Sequence, residues 1–243
     1  MAGLPGFERD REFQKLVARR KDVDVTLAAL ELARDAEPDL EFGPILEWFD
    51  ARGRELAGPV ARARTERDAL AELARGIAEQ HGILGTEDAY ARPEGSFLHR
   101  VIETRQGIPI SLSVLYMAVA QRVGIDLRGV STPMHFLARC ETVDGAVFLD
   151  AYSGGRLLDP PECLAWISRI AGVSKASVRA TLKPASPRTI VIRMLHNLKA
   201  VYARQEDWSA AWTVQRRLTA LEPASYQERR DLALISLHAR RPG

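Results

Sequence analysis

The amino-acid sequence predicts an α+β fold, with helices first, a small antiparallel sheet in the middle, and helices again to the end. Three observations predict it. Apolar residues recur at helical spacing through the first ninety residues and again from residue 160 onward. Between Gly124 and Tyr152 the pattern changes to short runs rich in Val, Leu, Phe and Tyr, which is strand chemistry. The strands follow one another directly instead of alternating with helices, as an α+β chain requires. With 243 residues, 46% hydrophobic and 27% charged, the chain can bury one sizeable core, and a disordered or fibrous architecture is excluded.

Each element has a local reason. Asp24 is placed to cap the helix VTLAALELARDA, whose stripe begins at Leu27, Leu30 and Leu32 and is stopped by Pro38. Pro44 opens the longer segment ILEWFDARGRELAGPVARAR. Thr65, with Asp68 three residues on, has the form of a capping box before ALAELARGIAEQ, and Gly82 stops that helix. Residues 82–95 read as a turn-rich loop. FLHRVIETRQG reads as a short helix ended by Gly107, and Pro109 opens the next, where its missing N–H costs nothing. That next helix, ISLSVLYMAVAQRVG, is apolar nearly all round and should be central and buried. DLRGVST, MHFLARC and AVFLDAY are strands, divided by Pro133 and by an Asp144–Gly145 hairpin turn. PPECLAWISRIAG returns to helix. From 192 to 225, Leu195, Leu198, Tyr202, Ala211 and Pro223 match the spacing of one tetratricopeptide repeat, with Asp207 as the cap between its two helices. One repeat cannot bury its own face, so it should pack on what precedes it.

Charge and cysteine usage narrow the function classes. The net charge is +2, but residues 183–243 hold 11 Lys+Arg against 5 Asp+Glu. Those basic residues are scattered at helical positions and not massed as a patch, so they read as a solvated helix face and not as a nucleic-acid surface. Cys140 and Cys163 form no zinc-type spacing and are expected to be free and buried. No apolar run is long enough to span a membrane, and the opening residues carry early acidic groups with no leader-like stretch. A cytoplasmic protein is the expectation.

The chemistry-bearing residues lie on the strands. His135, Leu137 and Arg139 share one face of MHFLARC, with Phe136, Ala138 and Cys140 on the other. A hairpin joins this strand to the one ending at Asp150, so His135 and Asp150 can be cross-strand neighbours. A carboxylate beside an imidazole fixes its tautomer and raises its basicity. The two supply only two metal ligands, His81, His99, His196 and His238 stand alone, there is no HExxH, and Gly154–Gly155 lacks a phosphate-loop fingerprint. No metal and no cofactor are expected.

The run GSFLHRVIETRQGIPISLSVLYMAVAQRVGIDLRGVSTPMHFLARC, followed by FLDAYSGG, resembles the SirB family of the transglutaminase-like superfamily. The resemblance extends over roughly residues 24–235 and implies a papain-like core over 1–182, with helical lead-in, and a tetratricopeptide-like segment over 183–243 packed on it. It implies that His135 and Asp150 match the superfamily's catalytic positions. It also places Pro109 where active members carry the nucleophilic cysteine at the start of a helix. Ser111 and Ser113 lie in the first turns of that helix, where amides and dipole could stabilise an oxyanion, and Ser111 is the better replacement nucleophile. The chain departs from the family pattern at Met134, where the family commonly has Gly, at Ala151–Tyr152–Ser153, where it has Pro-Phe-Asn, and at Gly95, where it usually has Asn. The expectation is a noncatalytic module binding a protein or peptide partner. The alternative is an amide or ester hydrolase or transferase using His135 and Asp150 with Ser111 or water. No nucleic-acid or membrane partner is expected.

Overall fold

The computed structural model describes residues 7–241. The first six residues, part of the opening read for a leader, and the last two lie outside them. Four helices precede the first strand: α1 (Arg11–Val17), α2 (Val25–Ala33), α3 (Phe42–Ala61) and α4 (Glu66–Ala74), the last continuing as a π-helical turn to Gln80. The expected caps are in place. Asp24 accepts from the Leu27 amide at 3.0 Å, and Thr65 Oγ1 from the Asp68 amide at 3.1 Å. Helix α3 starts two residues before Pro44, which sits inside its first turn, where no intrahelical donor is lost.

The loop expected over 82–95 holds more order than its turn residues suggest. It contains two short 3₁₀ turns and β1 (Leu84–Gly85), paired in parallel with β2 (Gln106–Gly107). Two-residue strands have no periodicity to read. They also correct the expected end of the fifth helix. Helix α5 (Leu98–Thr104) stops at Arg105, which takes the left-handed conformation (φ 60°), and Gly107 belongs to β2. Helix α6 (Pro109–Arg122) begins at Pro109 and is buried along nearly its whole circumference, as its composition predicts.

The main sheet is an antiparallel meander of β3 (Arg128–Thr132), β4 (His135–Thr142), β5 (Gly145–Asp150) and β6 (Arg156–Leu158), in that order. The three-residue β6 was not visible in the sequence. At the β4–β5 hairpin the two turn residues are Val143 and Asp144, and Gly145 follows in the left-handed region (φ 115°), where an added Cβ would be strained. The two sheet faces serve different cores. Phe136, Ala138 and Cys140 join α6 in the large core, while Leu137 and Phe148 pack with Cys163 and Ile167 of α7 (Pro160–Ala171) and Val178 of α8 (Lys175–Thr181).

Three helices close the chain: α9 (Pro187–Arg204), α10 (Trp208–Leu221) and α11 (Tyr226–Ala239). Ile190, Met194, Leu195 and Leu198 of α9 belong to the same core as α2, α3 and α6, so this segment packs on what precedes it. The basic residues here are not all solvated, and Arg217 corrects that expectation. It is 1% exposed, donates to Asp10 Oδ2 and to Asp35 Oδ2, each at 2.6 Å, and lies over the rings of Phe7 and Phe13. No helix among the described residues is long and apolar enough to cross a membrane.

Candidate functional site

The β3–β4 turn sets the position of His135. Thr132 pairs with His135 across a two-residue turn made of Pro133 and Met134. Proline presets the first turn position, and Met134 takes a positive φ of 60° at the second, a geometry that normally calls for glycine. Thr132 Oγ1 donates to the His135 carbonyl at 2.9 Å and stiffens the turn.

Asp150 ends β5. The ladder pairs Ala138 with Leu149, so Asp150 lies beside Leu137 and diagonally across from His135 on the same sheet face. The chain then doubles back: the Gly155 amide donates to the Asp150 carbonyl at 2.9 Å, with Gly154 and Gly155 both at positive φ. Tyr152, in this turn, lies flat against Gly85, where any Cβ would collide with its ring. The short parallel strand pair thus seats Tyr152 beside the site.

His135 Nε2 lies 2.8 Å from Asp150 Oδ1; Asp150 is fully buried and His135 is 7% exposed. In the neutral imidazole, a carboxylate on Nε2 favours the tautomer with the proton on that nitrogen and the lone pair on Nδ1. No hydrogen bond joins Nδ1 to another of the described residues, and the ring borders a cavity of about 370 Å³. Trp166 and Tyr152 meet the imidazole edge-on, with centroids 5.0 and 6.0 Å away. These rings and the carboxylate restrain the imidazole orientation. The second Asp150 oxygen, Oδ2, and the Tyr116 hydroxyl are both buried without a hydrogen-bond partner among the described residues. Burial, reinforced by the Asp150 charge, pushes the Tyr116 phenol well above its usual range.

Pro109, the first residue of α6, lines the same cavity as the imidazole. It brings neither a nucleophilic atom nor a backbone N–H. Ser111, expected as the replacement, is fully buried. Its hydroxyl donates to the Gly95 carbonyl at 2.6 Å, with the Ile108 carbonyl also at 3.0 Å, and it accepts from the Ile108 amide at 3.2 Å. This is a cap on α6, and no hydrogen bond joins Ser111 to His135. The structure therefore brings His135, Asp150 and Pro109 together and engages Ser111 elsewhere. Ser113 is buried, and its hydroxyl has no partner among the described residues. Neither cysteine is a thiolate candidate. Burial, with a smaller contribution from Asp150, pushes Cys163 up to about 12, and Cys140 is raised by burial on the other sheet face. Both are free.

The remaining histidines do not stand alone, which corrects the sequence expectation. His81 meets Glu55 at 3.0 Å, His99 meets Glu37 at 2.9 Å, His196 meets Glu228 at 3.2 Å, and His238 stacks on Trp208. His196, Glu222 and Glu228 come within 4.8 Å of one another, but the Glu228 carboxylate is already held by Lys199 Nζ at 3.1 Å and Gln215 Nε2 at 2.8 Å. An ammonium there supplies the positive charge a metal would bring.

Sequence reasoning missed the cavity's other walls, Tyr90, Arg193 and Asn197. Burial pushes the Tyr90 phenol up to about 12, so its hydroxyl remains a donor at neutral pH. Arg193 donates through Nη1 to Ser131 Oγ at 2.9 Å and to the Thr132 carbonyl at 2.6 Å, tying α9 to the turn before His135. Arg193, Asn197, Ala200, Val201 and Arg204 share one face of α9 by their spacing. That spacing was the available signal, and nothing in it alone distinguishes a cavity wall from a core face.

The comparisons with known proteins agree with this architecture. A family model described as the transglutaminase-like superfamily matches residues 45–196. A UPF0162 protein of Xylella fastidiosa (strain 9a5c) is 36% identical over 212 residues, covering 86% of this chain and 75% of that protein. The UPF0162 protein of Pseudomonas aeruginosa is 31% identical over 199 residues, or 81% of this chain and 71% of its own. F-box only protein 21 of Mus musculus is 40% identical over 75 residues, 28% of this chain and 12% of its own. No solved structure matches the chain. The family match runs from α3 through the sheet and into α9, so it contains the His135–Asp150 pair, Pro109 and Arg193 alike, and the chain belongs to the transglutaminase-like superfamily.

Proposed function

We propose that this protein is a noncatalytic, SirB-type member of the superfamily, whose papain-like cleft holds a peptide segment of a protein partner in the cytoplasm. In this reading residues 183–243 form a tetratricopeptide-like segment packed on residues 1–182 that helps to shape the binding surface. One observation carries the reading: Pro109, not a nucleophile, lines the cavity together with His135, while the nearest alternative, Ser111, is engaged in capping α6. Loss of a nucleophile removes most acyl-transfer power even when base and orienting carboxylate remain.

A specific observation also favours a second reading, amide or ester hydrolysis with water as nucleophile. The dyad is intact at 2.8 Å, with Nδ1 left to activate a water in the cavity. Turnover of a panel of amide and ester substrates separates the two. The binding reading expects no turnover above background by wild type, His135→Ala or Ser111→Ala, each checked for folding by thermal melting. Wild-type turnover that vanishes in His135→Ala at unchanged melting temperature establishes hydrolysis instead, and the Ser111 variant then tells serine from water.

A further inference from the structure

The cavity beside His135 does not end at its 370 Å³. Tyr90 and Asn197 are shared walls with a second cavity of about 410 Å³ along α9. The two ends differ in chemistry. Toward His135 lies Arg193, whose Nε and Nη2 take no hydrogen bond among the described residues and which pairs with no carboxylate. Asn197, between the two cavities, likewise makes no side-chain hydrogen bond there. The far end is walled mainly by Ala89, Ile108, Ala200 and Val201, with the buried Ser96 hydroxyl, unpartnered among the described residues, and Arg204, whose guanidinium donates to the Ala200 and Tyr90 carbonyls at 3.2 and 2.7 Å. A partly buried guanidinium with two nitrogens left free by the described residues and no carboxylate paired with it is an anion receptor, and its planar fork matches a carboxylate.

We infer that this composite cleft receives the carboxy-terminal end of a polypeptide, with the free α-carboxylate on Arg193 and Asn197 and an apolar last side chain in the recess along α9. The inference rests on the binding-module reading and deepens it. An α-carboxylate and its own side chain branch from one carbon, so a single terminal residue reaches a charged anchor and an adjoining apolar recess together. The carboxylate of an internal Asp or Glu ends its own side chain and leaves the recess to a neighbouring residue. Capture of chain termini by a preorganised charge is an established recognition mode in other folds.

Fluorescence anisotropy with labelled hexapeptide pools, randomised ahead of a fixed last Leu, tests this on the full chain. The pool with a free carboxylate should bind, and the same pool ending in a carboxamide should bind about tenfold more weakly or worse, as expected for a lost charge-assisted contact. Asn197→Asp adds repulsion without removing a fold contact, so it should weaken the free-carboxylate pool at least about tenfold while the melting temperature holds. Arg193→Lys should retain part of the affinity and Arg193→Met should not. Mass spectrometry of the peptides after incubation keeps the two levels apart. Cleaved peptide refutes the binding-module reading. Intact peptide bound equally as carboxylate and carboxamide leaves that reading standing and overturns the carboxylate anchor. Binding by neither pool, or tighter binding of an amidated pool with internal Asp, also overturns it.

Discussion

Two buried charge clusters in this protein look alike on paper and differ in what they leave over. His135 and Asp150 lie fifteen residues apart on one hairpin, and their contact leaves Nδ1 without a partner among the described residues, in a ring that lines a cavity. Arg217 lies 207 residues from Asp10 and binds it and Asp35 at once, so that α10 is fastened to the first turn of the described chain and to the end of α2. The guanidinium is also covered by Phe7 and Phe13. Burial and short distances are common to both clusters and distinguish neither as functional. The second cluster borders a cavity too, of about 230 Å³, and leaves Arg217 Nη1 buried without a partner among the described residues. The difference is that the second cluster leaves over a guanidinium N–H, which can only donate, whereas the first leaves over a ring nitrogen that can act as a base. An ion pair buried in a protein is weak testimony to catalysis until a group free to act beside it is identified.

The largest effect should come from breaking the clamp. Arg217→Leu leaves Asp35 without its buried counter-charge and Asp10 with only the half-buried Arg34 at 3.4 Å, and removing one partner of such a network costs about 3–5 kcal/mol. For a chain of this size that lowers the melting temperature by on the order of 10 °C. Adding Asp10→Asn and Asp35→Asn to Arg217→Leu should recover much of the loss, because no buried charge is then left unpaired. Peptide affinity at a temperature where the variants stay folded should not change. A parallel loss of affinity would erase the distinction between the two clusters.

Next in size is a pH effect at the same clamp. Burial holds the Glu31 carboxyl at about 7, against an ordinary 4.5, although the amides of Glu12 and Phe13 donate to it and pull the other way. Between about pH 4.5 and 7 the unfolded chain has released this proton and the folded chain retains it. The folded state then binds more protons, so stability falls as pH rises through that window and levels off above it. This contribution is on the order of 3 kcal/mol at most. Melting temperature against pH for wild type and Glu31→Gln isolates it: the wild-type curve should descend more steeply between these limits than that of the variant.

The same contrast explains what could be read from the chain. His135 and Asp150 were legible because alternation on a strand and one hairpin turn relate them, which needs only local geometry. The helix starts at Asp24, Thr65 and Pro109 were legible for the same reason, since each depends on residues within one turn. Arg217 was not, because nothing near it in sequence distinguishes a solvated arginine from one that meets Asp10 across the whole chain. Arg193 and Asn197 escaped similarly, and so did β1 and β2, whose pairing joins segments about twenty residues apart through two residues each. Ser111 shows the converse. Its position on α6 was right, but which partner its hydroxyl takes was set by the Gly95 carbonyl, sixteen residues away.

The smallest effect should come from the turn that delivers His135. Met134 holds a left-handed backbone (φ 60°) with its side chain 75% exposed at the mouth of the cavity. For a residue with a Cβ that conformation costs about 1 kcal/mol or more, and glycine occupies it freely at the price of a more flexible unfolded chain. Met134→Gly should therefore stabilise by about 0.5–1 kcal/mol, seen as a rise of roughly 2 °C in melting temperature. A fall instead would mean that the exposed thioether packs on the cavity rim more firmly than its exposure suggests. Peptide affinity then tells whether the strain is incidental. If Met134→Gly gains stability and keeps affinity, the side chain merely occupies a position that suits glycine. If it gains stability and loses affinity, Met134 touches the ligand, and the clamp and the cleft differ in one more respect: local stability is sacrificed to binding only at the cleft.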